Sequence, residues 1–198
     1  GLIKERNKNS KAKIFTIDGG LSKITELLSK KFINQLMLNT KVSSIVKHNE
    51  SYKITLNEGE DIFCKQIIST IPSYSLKDIV FDDNLKDVLS KVNYNPIDVF
   101  HFGFDRDALD IKIDGFGLLT KPQDKKSFLG VLFSSNIFEH VSNNKKFLIT
   151  VLAGGDRQKD LCKKSPQVLE KEILNEILPL LRFKSEPVFK NHFRWSKG

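Results

Sequence analysis

The chain has 198 residues, 39% of them hydrophobic, enough to bury a core in one large domain or in parts of two. No apolar run nears the roughly 20 residues of a membrane-crossing helix, and Gly1 to Arg6 lacks the apolar stretch of a secretion signal, so a cytoplasmic address is expected. The net charge of +8 comes mostly from dispersed lysines, with arginine only at 6, 106, 157, 182 and 194, which argues for solvated surface against a nucleic-acid-binding face. Attraction of an acidic small substrate or of an anionic membrane surface stays open.

Lys13 to Ile17 alternates toward a short strand, Asp18-Gly19-Gly20 turns it, and Leu21, Ile24, Leu27, Leu28 and Phe32 then recur at helical spacing with Ser22 as N-cap. A meander follows, predicted at Thr40 to Lys47, Tyr52 to Leu56 and Ile62 to Cys64, with turns at Asn49-Glu50 and at Asn57 to Glu60. Gln66 to Thr70 is nearly continuous in apolar character and is expected as a buried strand, stopped at Ile71-Pro72. Leu85, Val88, Leu89 and Val92 give helical periodicity between Leu76 and Val92. From Ile97 to Phe104 the chain alternates and places Phe100, Phe102 and Phe104 on one face, expected as core.

Three glycine-punctuated runs come next: Gly115 to Leu119, Leu129 to Ser135 and Thr150 to Gly155. Glycine inside a strand marks a bulge or a close approach of ligand or neighbouring backbone. Three such strands in succession predict a sheet face shaped around something flat and apolar. Between them, Pro122-Gln123-Asp124 reads as a turn and Asn136 to Val141 as a short helical piece. Ser165-Pro166 supplies an N-cap and a favoured first helical residue, Leu169, Ile173, Leu174, Ile177, Leu178 and Leu181 form the helix stripe, and Pro179 weakens its last turn. Val188 to Trp195 reads as a final strand. Its proximity to the last residue, with an equally abrupt beginning, reads as a segment cut from something longer.

Chemistry-bearing residues are few. Cys64 and Cys162 have no CxxC spacing and His48, His101, His140 and His192 no ligand rhythm, so neither a disulfide nor a metal is expected. His101 has no acidic residue at triad or ligand spacing and reads as a hydrogen-bonded structural histidine.

The series Phe15-x-x-x-Gly19-Gly20-Leu21, Leu38 to Val42, Ile68 to Pro72, Gly115-Phe116-Gly117-x-Leu119, Leu129-Gly130-Val131 and Thr150-Val151-x-x-Gly154-Gly155 resembles the FAD-dependent protoporphyrinogen oxidase family. It is similar, more loosely, to the wider flavin amine oxidase and phytoene desaturase group. The resemblance runs from about Phe15 to Trp195 and implies an α+β fragment. Residues 1–73 would be part of an FAD-binding domain containing the meander, and 74–198 a mixed β-sheet substrate domain with flanking helices. It implies a tetrapyrrole substrate, protoporphyrinogen or coproporphyrinogen, oxidised in haem biosynthesis with FAD as hydride acceptor and dioxygen as final acceptor. Phe116, Gly117, Leu119 and Leu152 match substrate-pocket positions. Val42 matches a residue whose backbone meets the FAD adenine, Thr70 and Pro72 would lie beside the cofactor, and Trp195 would approach the flavin. No residue takes a catalytic acid-base role.

The family's dinucleotide-binding glycine motif and propionate-binding arginine lie outside this sequence, so the segment alone should hold FAD poorly. A monomer or dimer is expected, with peripheral contact at the inner face of the cell membrane left open. The rival readings are another flavin amine oxidase or carotenoid desaturase, and a non-enzymatic basic module binding anionic lipid or nucleic acid.

Overall fold

A computed structural model describes residues 16–80, 82–143 and 145–198. The described residues fall into two compact units, one formed by 16–27 with 95–198 and the other lying within 28–94. Helix α1 (Ser22–Lys31) follows the turn at Asp18-Gly19, which is closed by the Gly20 amide donating to the Ile17 carbonyl. Ser22 is the first helical residue, and none of the helix is buried. The strand expected before this turn falls largely outside the described residues, and Thr16 and Ile17 are not in a strand.

The smaller unit holds the expected meander: β1 (Val42–His48), β2 (Ser51–Leu56) and β3 (Ile62–Cys64), antiparallel and in sequence order. β1 is bulged between Val42 and Ser44, and its Ile45 amide donates to the Ile79 carbonyl. Helices α2 (Ser73–Leu76) and α3 (Asp83–Ser90) follow, and the Asp82 carboxylate caps α3 by accepting from the Leu85 amide at 2.8 Å. Gln66 to Thr70 departs from the expected buried strand. Ile68 is 92% exposed, and among the described residues the backbone of 66–71 makes no hydrogen bond. A buried strand needs partners for its N–H and C=O groups, and no described strand runs beside this one.

The larger unit is built on a five-stranded sheet: β4 (Ile97–Asp105), β5 (Gly117–Leu119), β6 (Gly130–Leu132), β7 (Lys146–Gly154) and β8 (Phe189–Trp195), in spatial order β5-β6-β7-β4-β8. The α+β class expected from sequence is what the structure shows. Every pairing in this sheet is antiparallel rather than mixed in direction. Alternation along β4 buries Phe100, Phe102 and Phe104 completely, as the sequence pattern predicts. They share a core with Val131, Ile149 and Val151 and with Leu169, Ile173, Leu174 and Ile177 of α5 (Pro166–Leu180). Each such side chain contributes about 1.5–3 kcal/mol of apolar burial. Ser165 caps α5 by accepting from the Val168 amide, and Pro166 occupies the first turn. A short helix, α4 (Ser134–Ile137), links β6 to the run leading into β7.

On the helix side of the sheet lies the fully buried carboxylate of Asp98. It accepts from Arg194 Nε at 2.8 Å, from Arg194 Nη2 at 3.1 Å and from His192 Nε2, and the same Arg194 reaches the Lys164 carbonyl at 3.0 Å. Burial alone would raise the Asp98 carboxyl; hydrogen bonds from Arg194, Cys162 and His192, with the guanidinium charge, outweigh it and hold the group below its ordinary value. A depressed carboxyl contributes stability that is present above its unfolded value, about pH 4, and lost as pH falls through the folded one.

Asp98→Asn is therefore expected to cost about 3 kcal/mol at neutral pH and to flatten the acid limb of stability below about pH 4. Urea unfolding at a series of pH values checks both. Burial, with the neighbouring Asp98, also pushes the Cys162 thiol up to about 12. Cys162 should stay unalkylated by iodoacetamide in the native protein at pH 8 and react once the chain is unfolded, as read by mass spectrometry.

Candidate functional site

Because α5 covers one face of the five-stranded sheet, the other face is set by strand register. Gly117, Leu132, Thr150, His101 and Asn191 align in one row across the five strands. Leu119, Gly130, Leu152, Val99 and Phe193 form the next, and Gly154, Ile97 and Trp195 continue it on three strands. An antiparallel sheet with one free face normally carries polar residues there. Here, apart from the adjacent Thr150, His101 and Asn191, the free face is apolar: Leu119 is 86% exposed and Trp195 52%, with Leu132, Phe189 and Phe193 also exposed. A contiguous apolar patch of this kind marks a ligand or interaction surface.

The glycines have a more local cause than the sequence suggests. A Cβ on Gly117 would run into the Val131 carbonyl oxygen, and one on Gly130 would lie 2.8 Å from both the Leu118 carbonyl oxygen and Leu119 Cδ2. A Cβ on Gly154 would strike Cys162 Sγ and the Pro96 carbonyl oxygen. At these three positions the close approach is by neighbouring protein atoms. Gly130 still shapes the face, since its missing side chain leaves room for Leu119 to lie over it.

Four of the expected site residues come together on this open face: Gly117, Leu119, Leu152 and Trp195. Phe116 does not join them. It is 63% exposed and lines a separate cavity of about 430 Å³ with Arg106, Asp114, Asn136 and Ser142. Val42, Thr70 and Pro72 belong to the smaller unit. Val42 is half-buried at the bulged start of β1, an edge strand, while Thr70 and Pro72 are exposed beyond β3. An edge strand offers outward backbone groups, which suits a residue expected to meet a ligand through its main chain.

One polar constellation on the open face was not legible as a unit. Thr150 Oγ1 lies 3.0 Å from His101 Nδ1 and 2.8 Å from Ser134 Oγ. His101 is half-buried, and loss of hydration pushes its pKa below the ordinary histidine value, so the ring is neutral at pH 7. His101 and Thr150 are register partners 49 residues apart, and that relation is readable only after β4 and β7 are paired.

Residues 3–198 match the model of the flavin containing amine oxidoreductase family. The chain belongs to this family. Among curated relatives of this flavin amine oxidoreductase, the mitochondrial protoporphyrinogen oxidase of Nicotiana tabacum is 26% identical over 97% of this chain and 42% of its own length. The protoporphyrinogen oxidase of Dictyostelium discoideum is 30% identical over 95% of this chain and 42% of its own. The chain thus spans about two fifths of the length of these relatives. Among solved structures, a protein from Exiguobacterium sp. 255-15, provisionally named a protoporphyrinogen oxidase, shares the fold with a TM-score of 0.76 at 18% identity, over 92% of this chain and 40% of the other. Cyclohexylamine oxidase from Brevibacterium oxydans IH-35A does so at 0.69 and 10% identity, over 89% and 38%.

Gly117→Ala should separate β5 from β6 through the clash with the Val131 carbonyl, at a cost of about 1–3 kcal/mol. Denaturant unfolding measures it. A loss of function in such a variant reports on the sheet, so side-chain contacts of the open face are better probed at Leu152.

Proposed function

We propose that this flavin amine oxidoreductase chain is the substrate-facing part of an enzyme that oxidises protoporphyrinogen or coproporphyrinogen in haem biosynthesis, with FAD as hydride acceptor and dioxygen as final acceptor. The observation that carries the reading is the open, apolar, five-strand face in a chain whose curated relatives are named protoporphyrinogen oxidases. A flat tetrapyrrole buries such a face over its full width, whereas a small amine would leave most of it wet. Leu119 and Leu152 supply apolar contact, and Trp195 closes one end of the face.

In this reading residues 1–73 serve the flavin and 74–198 the substrate. That functional division does not coincide with the compact one, since α2 and α3 lie in the smaller unit with the meander. The smaller unit's residues fit a cofactor contact: Val42 through its main chain on an edge strand, with exposed Thr70 and Pro72 further along the chain. When bound, FAD supplies the electron acceptor; the chain's own residues bind and orient the ring and keep water from it. The catalytic chemistry calls on no acid-base side chain of this segment. The positive charge is read as attraction for an acidic substrate or for an anionic membrane surface that the protein touches peripherally from the cytoplasm.

In the full-length flavoprotein, Leu152→Arg should raise KM for the porphyrinogen by about tenfold or more, because it sets an unpaired charge against an apolar ring. Bound flavin, read from its visible absorbance, should be unchanged. Steady-state oxidation of protoporphyrinogen IX and of coproporphyrinogen gives the measurement, and unchanged kinetics with both would remove the open face from the site.

A further inference from the structure

The loop joining β5 to β6 is held by the 3-10 segment Asp156–Lys163 that follows β7. Arg157 forks onto Thr120, donating from Nη1 to the carbonyl at 2.9 Å and from Nη2 to the hydroxyl at 2.8 Å, and Gln158 Nε2 donates to the Lys126 carbonyl. Residues of both pieces line a cavity of about 540 Å³ that shares no lining residue with the open face: Lys125, Lys126, Arg157, Gln158, Asp160 and Lys164 are among them. The Gln158 contact comes at a cost. Its Oε1 is buried with no hydrogen-bond partner among the described residues, and its backbone, at φ −141° and ψ 42°, leaves the helical conformation in mid-segment. Turning the amide over would set Oε1 against the Lys126 carbonyl, so the orphaned acceptor stays where it is. Buried acceptors without partners are rare, and local costs of this kind collect where a ligand is held.

The carboxylates around this cavity already have partners. Asp160 pairs with Lys163 at 2.7 Å, Asp156 with Lys159 at 2.9 Å and Glu172 with Lys164 at 2.6 Å. Glu176 accepts from the Ser127 amide and hydroxyl, and Asp124 from the Lys121 amide. No described carboxylate pairs with Lys125, Lys126 or Arg157. Lys125 stands at φ 50°, in the left-handed region that a lysine seldom adopts, and the turn it makes puts two consecutive lysines on the cavity wall. Of the five N–H donors of Arg157, Thr120 takes two. Three cations without a counter-charge therefore line one cavity.

We propose that this cavity binds a phosphate group, with Lys125 and Lys126 supplying charge and Arg157 supplying donors of fixed direction. A phosphate monoester carries about two negative charges and three strong acceptor oxygens at pH 7, which suits three cations, whereas a carboxylate brings one charge and two oxygens. Gln158 acts as a positioning residue, tying the Lys125-Lys126 turn to the segment that carries Arg157. The inference is independent of what the open face holds, and it gives part of the net charge of +8 a local task. The phosphate can belong to a soluble ester or to a lipid headgroup, since both present the same oxygens.

The test uses the flavin-loaded full-length protein at about 0.15 M salt, where exposed charges are screened beyond about 8 Å. Inorganic phosphate and glycerol 3-phosphate are titrated by calorimetry, and vesicles of phosphatidylglycerol or of phosphatidylcholine are tested by co-sedimentation. One double variant, Lys125→Ala with Lys126→Ala, removes two cations from the cavity. A second, Lys91→Ala with Lys112→Ala, removes the same charge from exposed positions that do not line it. The first is expected to weaken binding about tenfold or more, the scale of lost hydrogen bonds to a charged group, and the second to leave it unchanged. Gln158→Leu, which loosens the turn and removes no charge, should weaken binding by a smaller factor. Binding of the free phosphates without binding to vesicles assigns a soluble phosphate. Binding confined to phosphatidylglycerol vesicles and lost in the cavity variant assigns a lipid headgroup. Equal weakening by the two double variants, or no binding of any probe to the unsubstituted protein, overturns the proposal.

Discussion

One buried carboxylate fixes the edge of the sheet on which the proposed site is built. Asp98 sits directly across from Arg194 in the β4–β8 register, with His192 two residues along, so both partners project to the helix side of the sheet. Moving β8 by one residue would exchange its faces. Arg194 and His192 would then leave their carboxylate, and Phe193 and Trp195 would turn toward the core. The ion pair therefore decides which side of β8 the aromatic residues occupy. The worth of a buried ion pair lies less in net stability than in what its loss would leave uncompensated.

A second constraint runs through the glycines. Gly117, Gly130 and Gly154 each stand where a methyl group would collide with a neighbouring carbonyl or sulfur atom. They let β5, β6 and β7 approach and let Leu119 lie flat across Gly130. The face is thus smooth as a by-product of tight strand packing. Its apolar character comes from the leucines and aromatics that alternate with the core residues.

Elements whose signal is local were legible in the sequence. The β4 alternation, the Ser165-Pro166 start of α5 and the three strands of the meander each carry their period and punctuation within a few residues, and the structure has them where the pattern puts them. Gln66 to Thr70 carries the same local signal and forms no described strand, because pairing depends on a neighbour that composition does not reveal. The site divided along the same line. Gly117, Leu119, Leu152 and Trp195 share a face because each lies on a strand of one sheet, and Phe116 fell elsewhere. The Asp98 network and the Ser134–Thr150–His101 chain join residues up to 96 positions apart and exist only once register is known.

The inward charges of β8 also bear on how the protein behaves in a crowded solution. An edge strand invites pairing by any extended chain that meets it, and inward-pointing charged residues are one natural defence. β8 carries His192 and Arg194 inward and Lys190 on the same side, the last paired with Glu170 at 3.1 Å. A foreign strand adding to this edge would have to satisfy its own side chains beside a guanidinium, an imidazole and an ammonium. The residues that hold Trp195 in place thus also make the β8 edge a poor template for aggregation, while the apolar face beside it stays open to a ligand.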